Sequence, residues 1–155
     1  MYQRILVPHD GSPFAEQVLP HALEIARRFG AEIHLLEVIP LPNPALYAVD
    51  LDAGAGVDLA AEAIDEAQEE LRSQGRARLE AVARQIGQQG VKAAWSIVNG
   101  DPAREIIAYA NANAVDLIAM ASHGRSGLVR ALVGSITDAV LRGGGHPVLV
   151  IKAAE

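Results

Sequence analysis

Five short apolar runs separated by four helix-forming segments constrain this chain more than any other feature. The runs cover residues 4–8, 33–39, 91–98, 116–121 and 147–152, and each has the length of a β-strand buried on both faces. Regular alternation of strands and helices predicts βαβ units, a parallel sheet and right-handed crossovers. Aromatic residues make up only 4% of the chain, so Ala, Val, Ile and Leu must build the core.

The turn and cap signals predict where the helices begin and end. Ser12 followed by Pro13 is typical of a helix start, and Gly30 predicts its end. Pro20 lies inside this helix and predicts a kink. Further helices are predicted over 58–89, 103–113 and 134–142, with Gly75 as a bend or weak point of the second helix. Residues 40–57 hold three prolines and no clear period, which indicates an irregular loop.

Length and composition predict one α/β domain over residues 1–155. The net charge of −6 argues against nucleic acid as a main partner, because binding a phosphate backbone needs a basic surface. The chain has no cysteine, which excludes disulfides, thiolate metal sites and thiol catalysis. No apolar stretch approaches the roughly 20 residues of a membrane helix, and no signal peptide is recognisable. We therefore expect a cytoplasmic protein without a membrane partner.

The loops after the first and fourth strands are the expected site of function. In open parallel sheets, ligands bind at the carboxyl ends of the strands, where the strand order reverses. Gly124 and Gly127 would let the backbone approach a ligand closely. Gly134 and Ser135 open the last helix, where free N–H groups and the helix dipole favour an anion such as phosphate. Arg125 could add a charge-assisted contact.

The same residues carry a resemblance to a known family. The chain resembles the universal stress protein family over essentially its whole length, including that family's nucleotide-binding pattern G-x2-G-x9-G-[S/T]. Here the pattern reads Ala121, Gly124, then nine residues to Gly134 and Ser135. Alanine replaces the first glycine, which keeps the spacing but adds a methyl group. The Val-Pro-x-Asp-Gly-Ser sequence after the first strand and the last apolar strand match the family as well.

The resemblance implies a doubly wound sheet of order 3-2-1-4-5 and an adenine nucleotide as ligand, which could be ATP, ADP or AMP. A magnesium ion would be compatible with the phosphates of such a ligand. It implies that Pro8 and Asp10 lie near the adenine and ribose, and that Val38 meets the adenine through its backbone. The nucleoside would be flanked by Met120 and Ala121. The ribose and phosphates would be held by Gly124, Gly134, Ser135 and Ile136. It also implies a homodimer paired through the last strand, at Val148, Leu149, Val150 and Ile151.

Plainer interpretations of these residues stay open. Asp10 could cap the first helix, Ser135 could be only an N-cap, and Gly124 and Gly127 could be turn residues. Arg125 taken singly is typical of a solvated surface residue. His9 and His123 follow the first and fourth strands and could converge on a metal or act as a general base, but no HxH or HExxH spacing supports this.

Three functions follow from these patterns. The first is an ATP-binding regulatory or stress-response protein with little or no hydrolysis. The second is an enzyme, at most a slow ATP hydrolase, because no G-x4-G-K-[ST] loop is present. A serine hydrolase is not supported, since Leu128 interrupts the G-x-S-x-G pattern. The third is a ligand-free dimeric interaction module of the same fold, which Ala121 keeps open.

Overall fold

Five strands alternate with helices along the chain. The computed structural model describes residues 1–42, 56–122 and 134–152. The strands are β1 (Arg4–Pro8), β2 (Glu32–Ile39), β3 (Ala93–Asn99), β4 (Leu117–Ala121) and β5 (Val148–Ile151). The helices are α1 (Pro13–Glu16), α2 (Leu19–Phe29), α3 (Gly56–Gln88), α4 (Pro102–Ala112) and α5 (Ser135–Gly143). All strand pairs are parallel, in the order β3-β2-β1-β4-β5, which confirms the predicted fold class.

The first helical connection consists of two segments instead of one kinked helix. It begins as predicted, with the Ser12 hydroxyl accepting the Ala15 N–H at 3.2 Å. The helix breaks between α1 and α2 because Pro20 has no N–H to donate to the carbonyl of Glu16, and it occupies the first turn of α2 instead. Gly30 ends α2 in the left-handed conformation, with φ of 68°.

The helices cover both faces of the sheet. On one face, α2 and α3 pack against alternate residues of β1 and β2; this core includes Ile5, Val7, Ile33, Leu35 and Leu79. On the other face, α4 and α5 pack against the intervening residues; this core includes Leu6, Leu36, Ile106, Ile118 and Val140. The alternation follows from the period of two along each strand. Burial on both faces explains why the strands are almost wholly apolar.

The long helix α3 is continuous through Gly75, so the predicted bend is absent. Gly75 is buried, and a Cβ at this position would lie 2.9 Å from the Glu37 carboxylate. The glycine therefore makes room for a buried acidic group. Of the predicted loop at 40–57, residues 43–55 lie outside the described residues and 56–57 belong to α3.

Strand β5 lies at one edge of the sheet and β3 at the other. The four residues of β5 are partly exposed, as expected for an edge strand that could pair with a second copy. The dimer itself stays a prediction. None of the helices within the described ranges has an apolar span that would cross a lipid bilayer.

Candidate functional site

A cleft of about 300 Å³ opens at the carboxyl edge of the sheet. It lies beside the ends of β1 and β4, which are neighbours in the sheet. The chain leaves β1 toward β2 and leaves β4 toward β5, so the two connections diverge at this point. Divergence of this kind creates a crevice where ligands bind in open α/β sheets.

Apolar side chains form much of the cleft wall. Leu36 and Val38 of β2 lie on the same face of the sheet as Met120 of β4. Ile106 contributes from the second turn of α4, and Pro102 from its first turn. Such a wall suits a flat, weakly polar group such as a nucleobase.

The N-terminus of α5 supplies the polar side of the cleft. Gly134 is the N-cap, and no side chain of the described residues caps the helix. The N–H groups of Ser135 and Ile136 belong to the first turn, where helical geometry provides no acceptor. Both residues line the cleft. This helix terminus is therefore open to an anion.

Two hydrogen bonds hold α5 against the end of β4. The buried Thr137 hydroxyl donates to the carbonyl of Ala121 at 2.8 Å. The Gly134 N–H donates to the carbonyl of Ser122. These bonds fix the open end of α5 relative to the strand that forms the floor of the cleft.

The loop between β1 and α1 is held by local hydrogen bonds. The His9 N–H donates to the carbonyl of Leu36 at 2.8 Å, which extends the pairing of β1 with β2. The Asp10 carboxylate accepts the Ser12 N–H at 3.0 Å in an Asx turn. Ser12, and not Asp10, is therefore the cap of α1. Asp10 lines the cleft from this turn.

His9 is buried beneath the loop. Its Nδ1 accepts the Gly11 N–H at 3.3 Å, so the proton of the neutral ring is assigned to Nε2. Burial lowers the pKa of His9 below its ordinary value, and the carboxylate of Asp10 only partly offsets this. The imidazole is therefore neutral at pH 7. His123, which was expected to converge with His9, lies outside the described residues. No three His, Asp or Glu side chains form a metal site in the described ranges.

The structure brings together most of the predicted site residues. Eight of them line the cleft: Pro8, Asp10, Val38, Met120, Ala121, Gly134, Ser135 and Ile136. Gly124, Arg125 and Gly127 lie outside the described residues. The alternative that Ser135 is the N-cap is wrong, because Gly134 holds that position.

Several lining residues were missed by the sequence analysis. Leu36 lies two residues before Val38, so strand periodicity places both on one face. Pro102 and Ile106 follow β3 at the same edge of the sheet. Thr137 lies in the first turn of the helix that Gly134 opens. For these four residues a signal was present, in strand period or helix position. His9, which the sequence analysis considered only as a metal ligand or general base, also lines the cleft.

Comparison with known proteins agrees with this fold. The sequence model of the universal stress protein family matches residues 1–152. The universal stress protein MJ0531 of Methanocaldococcus jannaschii is 35% identical over 153 residues, which cover 98% of this chain and 83% of that protein.

Solved structures show the same architecture. Hypothetical protein MJ0577, from the same organism, superposes with a TM-score of 0.83 at 30% identity and covers 100% of this chain and 99% of its own. An Archaeoglobus fulgidus universal stress protein in complex with dAMP has a TM-score of 0.67 at 21% identity, with coverage of 97% and 98%. At that identity the second likeness concerns the fold. The family match and the relatives over 30% identical establish that this chain belongs to the universal stress protein family.

Proposed function

We propose that this stress-response protein binds an adenine nucleotide (ATP, ADP or AMP) in the cleft and acts as a regulator with little or no hydrolysis. The observation that carries the proposal is the N-terminus of α5, which no described side chain caps and which opens beside an apolar wall at the point where strand order reverses. The apolar wall of the cleft suits the base of a nucleotide, and the polar helix terminus suits its phosphates.

The nucleotide would lie across the ends of β1 and β4. Its phosphates would accept hydrogen bonds from the N–H groups of Ser135 and Ile136, and the helix dipole would stabilise their charge. The base would contact Val38 and Met120, and Asp10 would face the ribose. A structure of the same fold holds dAMP, which is an adenine nucleotide.

Low hydrolytic activity is proposed because the nearby polar groups already have structural roles. Asp10 accepts the Ser12 N–H, and Thr137 donates to Ala121. The Nδ1 of His9 accepts the Gly11 N–H, so it is not available as a general base. The magnesium expected with the phosphates has no support from a cluster of acidic side chains in the described ranges.

Two measurements on the wild-type protein test nucleotide binding. The protein is purified, denatured, and its supernatant separated by anion exchange, and we expect an adenine nucleotide near one per chain. ATP, ADP and AMP are then titrated calorimetrically into nucleotide-free protein. Binding with no phosphate release over hours supports a regulator, whereas steady release indicates an enzyme. No bound nucleotide and no heat with any of the three indicates the ligand-free interaction module.

A matched pair of variants tests the site. Gly134 has φ of −62° and ψ of 153°, values that any residue adopts, so Gly134→Val requires no change in backbone conformation. The added side chain would stand at the mouth of the helix terminus, and we expect binding to be abolished. Gly145→Val is the control, because a Cβ there meets no atom within 4 Å. Unchanged affinity in Gly134→Val, with both variants folded, would contradict the assignment.

A further inference from the structure

An ion pair between a buried carboxylate and a partly exposed guanidinium lies beneath the loop that presents Asp10 to the cleft. Nη2 of Arg78, from α3, donates to the Glu37 carboxylate of β2 at 2.5 Å. Glu37 is only 7% exposed, so an acidic side chain is buried in β2 between the apolar residues Leu36 and Val38. Neither residue is among those that line the cleft.

Two glycines leave space for this ion pair: Gly11 in the loop between β1 and α1, and Gly75 in α3. A Cβ on Gly11 would lie 2.6 Å from Nε of Arg78 and 2.8 Å from its Cζ, so the guanidinium packs directly against the loop backbone. Gly11 also has φ of 76°, a conformation that favours glycine. On the other side, Gly75 leaves room for the Glu37 carboxylate. The pair is therefore fitted between α3 and the loop.

The pair is poorly arranged for stability alone. Among the described residues, Nε of Arg78, Oε2 of Glu37 and Nε2 of His9 are buried and have no hydrogen-bond partner. A partly satisfied buried network stabilises a fold less than apolar packing of similar volume would. Arg78 pairs with Glu37 and packs against Gly11 of the loop, and His9 belongs to the loop itself. Their location indicates a role in the site.

We propose that Arg78 and Glu37 are positioning residues, which fix the loop between β1 and α1 and so set the affinity of the cleft for its nucleotide. Arg78 acts through Gly11, whose neighbours Asp10 and Ser12 form the Asx turn. Without the guanidinium, the loop would have to be ordered when the ligand binds, and that cost would weaken binding. The affinity part of this inference rests on the proposed function, and the order of the loop does not.

The test compares Arg78→Met with a control pair at the other end of the sheet. Arg4 and Glu32 form an ion pair at 2.6 Å near the amino edge, so Arg4→Met removes an ion pair, together with the bond from Arg4 to the carbonyl of Asn113, far from the cleft. Arg78→Met should bind ATP about tenfold more weakly at a temperature where both variants are folded, whereas Arg4→Met should bind like wild type. Equal affinity in all three proteins would overturn the proposal.

A double variant separates positioning from stability. Arg78→Met alone leaves the Glu37 charge buried and unpaired, which destabilises the fold, whereas Arg78→Met combined with Glu37→Leu removes both charges. We expect the double variant to regain thermal stability but not affinity. Recovery of both together would show that the pair has only a structural role. The double variant also covers the case in which Arg78→Met does not fold.

A measurement without nucleotide distinguishes this inference from the proposed function. The Ser12 N–H donates to Asp10 within the loop, and the Ala15 N–H of α1 donates to the Ser12 hydroxyl, so the hydrogen exchange of both amides reports the order of the loop. In the double variant these amides should exchange about tenfold faster than in wild type, while Arg4→Met leaves them unchanged. Faster exchange in a protein that binds no nucleotide would overturn the proposed function and support the positioning role. Unchanged exchange would overturn the positioning role.

Discussion

Replacing Thr137 with valine isolates one of the two bonds that hold α5 against β4. Valine has nearly the shape of threonine but no hydroxyl, so the substitution removes the 2.8 Å hydrogen bond to the carbonyl of Ala121. Thr137 is only 3% exposed, and water cannot readily replace the lost donor. The loss should cost about 1–2 kcal/mol of unfolding free energy. For a chain of this length that corresponds to a fall of about 3–6 °C in Tm.

The effect on binding distinguishes a functional bond from a structural one. Thr137→Ser keeps the hydroxyl but loses a methyl group, which costs about 1 kcal/mol, so both variants are destabilised to a similar extent. Only Thr137→Val frees the first turn of α5 to shift away from the cleft. In calorimetric titrations with ATP, Thr137→Val should bind about tenfold more weakly, while Thr137→Ser should stay close to wild type. Equal affinities in the two variants would show that the Thr137 bond does not position the N-terminus of α5 for phosphate binding.

Three further predictions concern packing, pH and assembly. Gly75→Ala should lower Tm because its Cβ would lie 2.9 Å from the Glu37 carboxylate. Gly87→Ala in the same helix meets nothing within 4 Å and should raise the free energy of unfolding by about 0.5–1 kcal/mol. A higher Tm for Gly75→Ala than for Gly87→Ala would contradict the packing. Burial lowers the pKa of His9 below 6.5 in the folded protein, so as pH falls the unfolded chain takes up this proton first. The contribution of neutral His9 to the free energy of unfolding should therefore be complete above pH 6.5 and be lost as pH falls through the lowered pKa. His9→Asn, which does not titrate, should flatten that part of a denaturation series, and an unchanged slope would contradict the assignment. Val150→Lys should make a β5-paired dimer monomeric in sedimentation, and a monomeric wild type at micromolar concentration would contradict the dimer itself.

The strands and the topology were predictable because local and global signals agree. An apolar run such as Arg4–Pro8 has one stable environment in an α/β protein, between two layers of helices. The break after α1 was only partly predicted. The missing N–H of Pro20 indicates a distortion at Glu16, but its size depends on how α1 and α2 pack.

The cleft was predicted through spacing and resemblance, since a Gly-Ser step such as Gly134-Ser135 is typical of a helix start. The ion pair below the cleft was not predicted. Arg78 and Glu37 are 41 residues apart, and only the packing of α3 on β2 brings them together. The one local signal for the ion pair was the position of Glu37, an acidic residue in an otherwise largely apolar strand. The sequence predicted a bend or weak point of the helix at Gly75. The carboxylate that this glycine accommodates belongs to β2, so the helix sequence alone gave no reason for it.

The most direct test of nucleotide binding in the cleft follows backbone amides by NMR while ATP is added. We predict that the amide signals of Ser135 and Ile136 shift and saturate along one binding curve. The amides of Gly30 and Gly90, which precede β2 and β3 at the opposite edge of the sheet, should stay unchanged. No shift at millimolar ATP, or shifts confined to the opposite edge, would contradict an adenine nucleotide site at the N-terminus of α5.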